Sequence, residues 1–175
     1  MFHVTERLLL RPAWPEDWEQ VLAGVGEEAI ARNLAKVPWP YGEAEARWFA
    51  SQLQDQDLPN FLVVESASGR VVGSCGLGEK DGEPEIGYWF AREAWGRGYA
   101  TEAARGVLEI ARLLGFRRLT AGHMADNPES GRVLRKLGFR LTGMAQRFCL
   151  ARGCEADSVE FALDLKEPEL FRQAA

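Results

Sequence analysis

A short segment that passes from an alternating pattern, through two glycines, into a helical pattern constrains this chain more than any other part of it. Residues 85–90, EIGYWF, alternate between two faces, which predicts a strand. Residues 100–114 carry apolar side chains at three- and four-residue steps, which predicts a helix with one buried stripe. Because Gly96 and Gly98 lie between the two patterns, the segment predicts a strand, a glycine turn and a helix in succession.

The glycine turn is a candidate anion-binding site. The first N–H groups of a helix lack intrahelical partners, and glycine lets a ligand approach the backbone because it has no Cβ. The helix dipole adds a partial charge of roughly +0.5 at the same place. The dinucleotide loop fits poorly because its third glycine is missing after Gly98, and the Gly-Lys-Ser/Thr of a P-loop is absent. On these residues alone, a tight turn that binds nothing remains the alternative.

The same residues resemble a known family. The run WGRGYA, Trp95 to Ala100, is similar to the acyl-CoA pyrophosphate loop of the GNAT superfamily N-acetyltransferases, whose pattern is Gln/Arg-x-x-Gly-x-Gly/Ala. Trp95 departs from that pattern, but an EIGYW strand followed by WG[KR]GYATEA is the form expected in the RimJ/RimL-like branch. The resemblance implies that acetyl-CoA binds here as a co-substrate. The cofactor-binding residues that it implies on this segment are Phe90, Trp95, Gly96, Arg97, Gly98, Tyr99, Ala100 and Thr101.

A second motif lies further along the chain. Residues 127–139 contain NPES and KLGF, which resemble the N-x-x-S and K-L-G-F pair of the same family. The resemblance implies that Asn127 contacts the pantetheine arm and that Ser130 lies near the sulfur of acetyl-CoA. Asn127 also has a structural explanation, as the N-cap of a helix whose first residue is Pro128. With TERLLLRP at residues 5–12, which looks like the opening strand of the family, the ordered set spans most of the chain.

The remaining patterns complete an α/β order. Helices are predicted over residues 15–25, 43–56, 100–114 and 127–138, and strands over residues 5–12, 61–64, 71–74, 85–90, from 116 onward, 139–148 and 155–165. Residues 24–42 are predicted to be rich in loops. This order is consistent with the GNAT acyl-CoA N-acyltransferase fold, a mixed central sheet of about seven strands with flanking helices. One GNAT N-acetyltransferase domain is predicted to span residues 1–175.

Composition limits the classes of protein to consider. Hydrophobic residues make up 46% and charged residues 27% of the chain, which is typical of globular proteins. No apolar run approaches the ~20 residues that span a bilayer, and residues 1–12 lack the basic region of a signal peptide, so no membrane partner and a cytoplasmic location are expected. Cys75, Cys149 and Cys154 have no C-x-x-C spacing and form no ligand cluster with the two histidines. Buried thiols and no metal are therefore expected.

Charge is placed unevenly along the chain. Residues 130–152 hold six basic residues and no acid, whereas residues 13–57 hold nine acids and three bases. A polyanionic CoA would favour the first segment and a cationic amine the second, although solvated surface charge explains most individual residues. The net charge of −5 argues against nucleic-acid binding. The expected partners are acetyl-CoA and an amine acceptor, which could be a protein N-terminus, a polyamine or another small amine; a homodimer stays open.

Acetyl transfer needs a neutral amine, a polarised thioester carbonyl and a stabilised thiolate. Glu85 resembles the catalytic glutamate of histone-type members and is the candidate base, directly or through water; the alternative is a surface carboxylate at a strand end. A backbone N–H near Phe90 is expected to polarise the carbonyl. The tyrosine acid of many family members, seven residues after the motif asparagine, corresponds to Leu134 here. Ser130, or a water that it holds, is therefore the candidate acid.

The acceptor is the least constrained part of this prediction. The family resemblance makes Trp39 and Tyr41, together with Glu85, candidate substrate contacts, while aromatic residues that pin a loop to the core are the alternative. Covalent catalysis is disfavoured because no cysteine belongs to a Cys/His motif. The resemblance implies direct transfer in a ternary complex. The alternatives are a non-catalytic acyl-CoA-binding or regulatory module and, less favoured because the third glycine is missing, a nucleotide-binding oxidoreductase.

Overall fold

The computed structural model describes residues 1–165, which form eight strands and five α-helices in an α/β arrangement. The strands are β1 (His3–Val4), β2 (Leu8–Arg11), β3 (Asn60–Glu65), β4 (Val71–Lys80), β5 (Glu83–Phe90), β6 (Arg118–Met124), β7 (Arg140–Cys149) and β8 (Cys154–Asp164). The helices are α1 (Trp18–Val25), α2 (Glu28–Ala31), α3 (Glu43–Ala50), α4 (Tyr99–Leu113) and α5 (Pro128–Lys136). Short 3-10 helices at Pro15–Asp17 and Arg92–Ala94 precede α1 and the glycine turn. The predicted mixed sheet with flanking helices is confirmed.

The sheet has the order β1-β2-β3-β4-β5-β6-β8-β7, and the strand that the sequence did not predict is β1. Its two residues pair antiparallel with Leu9 and Leu10 of β2. Strands β2 to β5 continue as an antiparallel ladder, and β6, β8 and β7 form another. The sheet is therefore two antiparallel halves joined between β5 and β6.

The junction between the halves is parallel and short. Helix α4 carries the chain from β5 to β6, as a parallel pair requires, because a parallel connection needs a crossover. Within residues 1–165 the pairing of these strands is registered at one position, Glu85 opposite Thr120. Beyond this point, toward Phe90 and Met124, the two strands separate, and the gap between them opens the sheet.

Two apolar clusters cover the two faces of the sheet. One contains Ile86 and Phe90 of β5 together with the buried stripe of α4, and the other contains Trp89 with residues of α1 and α3. The predicted alternation of β5 is therefore confirmed. Contact on the second face is close, because a Cβ at Gly24 of α1 would lie 2.6 Å from Cζ3 of Trp89.

The helix ends test the predicted boundaries. Gly115 (φ +86°) follows α4 and Gly138 (φ +92°) follows α5, and both adopt the left-handed backbone that favours glycine, as predicted. Helix α3 ends at Ala50 instead of Gln56, because the Ser51 and Gln52 side chains bind the carbonyl oxygen of Trp48 in its last turn. Leu53, which a helix continued to Gln56 would place on the same face as Ala46, Phe49 and Ala50, is 96% exposed. The segment predicted as loop-rich contains the short helix α2.

None of the helices between residues 1 and 165 is long and apolar enough to cross a lipid bilayer.

Candidate active site

A cleft of about 1790 Å³ opens where β5 and β6 separate. Its walls come from both faces of the sheet: the start of α4 and helix α5 on one side, and α3, residues 33–41 and the end of β7 on the other. The predicted site residues that line it are Tyr41, Glu85, Phe90, Trp95, Gly96, Gly98, Tyr99, Ala100, Thr101, Asn127 and Ser130. The structure therefore brings most of the predicted cofactor and substrate residues to one cleft.

The glycine turn needs its glycines for backbone conformation. Gly96 has φ +72° and Gly98 has φ +80°, which strain residues with a Cβ. No heavy atom lies within 4 Å of a Cβ built on Gly96, so the surface above this residue is open. Trp95, which departs from the family pattern, donates its indole Nε1–H to the carbonyl oxygen of Phe90 at 2.7 Å. Trp95 therefore fastens the turn to the end of β5.

A network of charged side chains supports the turn from behind. The buried Tyr99 donates its hydroxyl to Glu65, and Arg97 Nη2 lies 2.6 Å from the same Glu65 oxygen. Hydrogen bonds from Ser68, Tyr99 and Arg97 lower the pKa of Glu65 to about 2. The Arg97 guanidinium is thus engaged with Glu65, and Arg97 is not among the residues that line the cleft. Its predicted contact with CoA stays a prediction.

Arg7, the residue immediately before β2, contacts the same turn. It donates from Nη1 to the carbonyl oxygen of Arg97 at 3.0 Å and pairs with Glu102 in the first turn of α4 at 2.6 Å. The Glu102 hydrogen bonds and charge raise the pKa of Arg7. These contacts give a physical role to Arg7 as the third residue of the TERLLLRP motif. The Glu102 carboxylate therefore helps to fix the turn.

The register of β5 orients its backbone toward the gap. The Ala91 N–H binds the carbonyl oxygen of Val72 at 3.0 Å, and Phe90 lies opposite Gly73. Because successive residues of an antiparallel strand point their N–H groups to opposite sides, the Phe90 N–H points away from β4 and into the gap. This is the direction that the predicted polarisation of a thioester carbonyl requires.

Glu85 lies in a network of two carboxylates and two cations. Its Oε1 is 2.5 Å from Arg147 Nη2, and Arg147 also binds both oxygens of Glu160, which in turn accepts from Lys80 at 3.0 Å. Although burial opposes its charge, hydrogen bonds from Arg147, Ser158 and Lys80 lower the pKa of Glu160 to about 2. Glu85 is therefore not a free strand-end carboxylate.

Arg147 is a site residue that the sequence reasoning missed. Its guanidinium packs where a side chain at Gly122 would otherwise lie. Burial alone would lower the pKa of Arg147, but the carboxylates of Glu160 and Glu85 raise it, so the cation is permanent. In the sequence, Arg147 is one of the six basic residues of the segment 130–152. Nothing local identifies its partners on β5 and β8.

Tyr88 is a second missed residue. Its hydroxyl lies 2.8 Å from Ser130 Oγ and 3.2 Å from the Ser130 carbonyl oxygen. Burial raises the pKa of Tyr88. The alternation of β5 already predicts that Tyr88 shares a face with Ile86 and Phe90, but its partner on α5 could be identified only from the fold.

Asn127 and Pro128 take the predicted positions at the start of α5, but the Asn127 side chain makes no capping hydrogen bond. The expectation that Asn127 stabilises this helix as a cap is therefore wrong. Asn127 has backbone angles of φ −117° and ψ 68°, and it lines the cleft.

The two aromatic residues predicted to contact substrate are separated by the fold. Tyr41 lines the cleft, and burial, followed by the Glu45 charge, raises its pKa to about 12. Trp39 is 38% exposed and is not among the lining residues. Trp48 and Phe148, which the sequence reasoning did not select, line the cleft and are 66% and 54% exposed.

Cys75, Cys149 and Cys154 are not among the residues that line the cleft. Cys75 and Cys149 are buried free thiols, as expected, whereas Cys154 is exposed. Burial raises the pKa of Cys75 well above its ordinary range. Within residues 1–165 no group of His, Cys, Asp and Glu side chains is arranged to hold a metal ion.

Comparison with known proteins places this architecture in a family. Residues 7–140 match the family described as Acetyltransferase (GNAT) domain. The uncharacterized N-acetyltransferase p20 of Bacillus licheniformis is 26% identical over 171 residues, which cover 93% of this chain and 96% of that protein. A GNAT-family acetyltransferase from Bacillus anthracis has a solved structure with 26% identity and a TM-score of 0.83, covering 95% of this chain and 100% of that one.

A more distant solved structure has the same fold with a ligand. RimL, a ribosomal alpha-N-protein acetyltransferase in complex with coenzyme A, is 17% identical with a TM-score of 0.77, covering 94% of this chain and 98% of that one. The family match covers more than half of the chain and includes both motifs. The resemblance predicted from the glycine turn is thereby confirmed, and this chain belongs to the GNAT family of acetyltransferases.

Proposed function

We propose that this protein transfers the acetyl group of acetyl-CoA to a primary amine, directly, within a ternary complex. The observation that carries the proposal is the single cleft that joins the glycine turn at the start of α4 to Glu85 on β5 and Ser130 on α5. A donor bound at the turn and an acceptor at Glu85 would meet in the gap between β5 and β6.

The donor half of the cleft has the features that CoA needs. Free N–H groups at the start of α4, next to Gly96 and Gly98, would bind the pyrophosphate. The pantetheine arm would then follow the gap past Asn127, which puts the thioester near the Phe90 N–H and the sulfur near Ser130. A backbone donor aimed at the carbonyl oxygen stabilises the charge that develops there during transfer.

The amine must lose a proton before or during transfer. At pH 7 a lysine amine costs ~4.6 kcal/mol to deprotonate and an α-amine ~1 kcal/mol. Glu85 would take the proton, directly or through water. Because Arg147 holds Oε1 of Glu85, the second oxygen, Oε2, is the candidate proton acceptor.

The acceptor half is less acidic than its sequence suggests. Of the nine acids among residues 13–57, Glu45 and Asp55 line the cleft. Their carboxylates accept backbone N–H groups, from Gly42 at 2.9 Å and from Asp57 at 2.8 Å. The Glu85 charge is balanced within its own network by Arg147. These three carboxylates therefore offer little uncompensated negative charge to a polycation.

A large part of the wall of the acceptor half is apolar. The apolar residues that form it include Ile30, Leu34, Val37, Phe49, Trp48, Phe148 and Leu150. An apolar wall favours a ligand that buries apolar surface there. We therefore propose an acceptor with one amine beside an apolar group, either a protein N-terminus or a small molecule, in preference to a polyamine. A RimL-like activity on protein N-termini is compatible with this chemistry.

The test is release of CoA thiol from acetyl-CoA with a panel of amines. The panel contains peptides with apolar and with charged N-terminal residues, 2-phenylethylamine and spermidine. We expect turnover with the apolar α-amines and arylalkyl amines at a kcat/KM at least 10-fold above spermidine. A preference for spermidine would overturn the acceptor class and leave the transfer activity standing. Acetyl-CoA binding by calorimetry without thiol release for any amine would favour the non-catalytic module.

A further inference from the structure

We propose that Tyr88 positions the hydroxyl of Ser130 so that it donates a hydrogen bond to the sulfur of the departing CoA. This role rests on the proposed transfer reaction and adds a residue to which the family resemblance gave no function. Tyr88 is a positioning residue, since it acts on the sulfur through Ser130. The pair joins β5 to α5 across the donor half of the cleft.

The geometry of the pair is fixed from both sides. The Tyr88 hydroxyl is within hydrogen-bond distance of two Ser130 atoms, Oγ at 2.8 Å and the carbonyl oxygen at 3.2 Å. The ring packs beside Phe90, with 6.5 Å between ring centroids, and Tyr88 lies opposite Cys75 in the β4–β5 ladder. Ser130 is held in the first turn of α5. The Tyr88 ring cannot turn away without disturbing its packed neighbours.

The pair has one hydrogen available for a third atom when Tyr88 is the donor to Ser130 Oγ, and this is the arrangement that we propose. Burial raises the pKa of Tyr88, so its phenol keeps its proton throughout the neutral pH range. A phenol that donates its only hydrogen to Ser130 Oγ leaves the serine hydrogen free to donate to a third atom. With the pantetheine arm in the gap, that atom is the thioester sulfur.

The transfer step balances without a proton from Tyr88. The amine nitrogen attacks the carbonyl carbon, the C–N bond forms and the C–S bond breaks with its electron pair on sulfur. The amine proton goes to Glu85 or to water. The thiolate accepts the Ser130 hydrogen bond while it forms and takes its proton from solvent after release. A charge-assisted hydrogen bond of this kind is stronger than one between neutral groups.

Other groups near the sulfur do not offer this function. Leu134, the next inward-facing residue of α5 after Ser130, is apolar and 1% exposed. Cys75 is buried behind Tyr88 and its pKa is raised by burial. The Tyr88–Ser130 pair therefore supplies the hydroxyl on this wall from a strand and a helix that lie 42 positions apart in sequence.

A double-mutant cycle tests the proposal. Tyr88→Phe removes one oxygen and keeps the ring, and we expect kcat to fall roughly 10-fold, as for the loss of one hydrogen bond to the transition state, with the KM for acetyl-CoA within about twofold of the parent. Ser130→Ala should lower kcat by a similar or larger factor. Because both changes remove the same interaction, the double variant should be no slower than Ser130→Ala by more than about twofold.

The matched control is Thr120→Val, which removes a different hydroxyl that binds β5, donated to the Pro84 carbonyl oxygen at 3.1 Å. It should leave kcat unchanged, and thermal unfolding of every variant separates lost folding from lost chemistry. Multiplicative effects of the two changes, or a parental kcat for Tyr88→Phe, would overturn the pairing while the parent still released thiol. A parent that binds acetyl-CoA and never releases thiol would instead overturn the proposed function.

Discussion

At the donor end of the cleft the surface that would meet a ligand is backbone, whereas at the acceptor end it is made of exposed apolar side chains. The donor end is held by Trp95, which binds the Phe90 carbonyl, and by the Arg7 and Glu65 contacts behind the turn. The acceptor end combines α3, β7 and irregular segments, and it exposes Trp48 and Phe148. A rigid backbone surface suits one invariant ligand, and a surface of side chains can change with the acceptor.

Glu85, where the two ends meet, should give the largest effect. Glu85→Gln keeps the size of the side chain but removes the base, so kcat/KM should fall by roughly 10²-fold or more at neutral pH. Raising the pH toward the pKa of the amine should restore much of the rate, because the nucleophile is then already neutral. The measurement is a pH–rate profile of kcat/KM for parent and variant on one confirmed acceptor.

The profile also tests the alternative role of this residue. An α-amine acceptor should suffer less from Glu85→Gln than a lysine-like amine, because the base has ~3.6 kcal/mol less to supply. Parallel profiles separated by a constant factor would mean that Glu85, held by Arg147, orients the acceptor and does not accept its proton.

A substitution in the glycine turn should show that binding of acetyl-CoA depends on the backbone conformation of the turn. Gly98→Val places a branched side chain at φ +80°, which costs about 1–2 kcal/mol in a left-handed conformation, and it brings a Cβ toward Arg7. The turn should shift, and the Kd for acetyl-CoA should rise roughly 10-fold or more by calorimetry. The matched control is Gly69→Val in the β3–β4 hairpin, at φ +70° and with no atom within 4 Å of the new Cβ. Equal weakening by both variants would contradict the assignment of the turn to CoA.

Substitution of Trp48 should give a smaller effect, and it should act on the binding of the amine and not on the binding of acetyl-CoA. This residue is exposed and lines the acceptor end, so Trp48→Ala should raise the KM for an apolar amine about three- to fivefold through the loss of one rim contact and leave the Kd for acetyl-CoA unchanged. Steady-state kinetics with the amine varied at saturating acetyl-CoA measures it. Trp14→Ala, which removes an exposed tryptophan outside the cleft, is the control. A larger change in the Kd for acetyl-CoA than in the amine KM would reverse our assignment of the two ends.

The smallest effect on stability is expected at Asn127. Since its side chain makes no capping hydrogen bond, Asn127→Ala should change the free energy of unfolding by less than ~0.5 kcal/mol, where a lost cap would cost ~1 kcal/mol. The affinity for acetyl-CoA should fall several-fold if the side chain contacts the pantetheine arm. Chemical denaturation and calorimetry on the same preparation give both numbers, and a stability loss near 1 kcal/mol with unchanged affinity would restore the capping role.

Much of the donor end was predictable from the sequence because its determinants are local. Alternation identifies the faces of β5, and the positive φ angles at residues 96 and 98 need glycine whatever surrounds them. The stops of α4 and α5 follow from Gly115 and Gly138 for the same reason. Each of these features depends on residues within one or two turns of chain, so a single sequence carries the information.

Contacts between distant segments were decided only by the tertiary structure. Arg147 binds Glu85 across 62 positions because the sheet order brings β7 and β8 beside β6, and Tyr88 meets Ser130 because β5 and β6 separate below α5. The pairing of Glu27 with Arg92, which holds this acid away from the cleft, arises in the same way. A charge or hydroxyl in a sequence has no partner until strand register and helix packing set the distances, and electrostatic and hydrogen-bond energies depend on those distances.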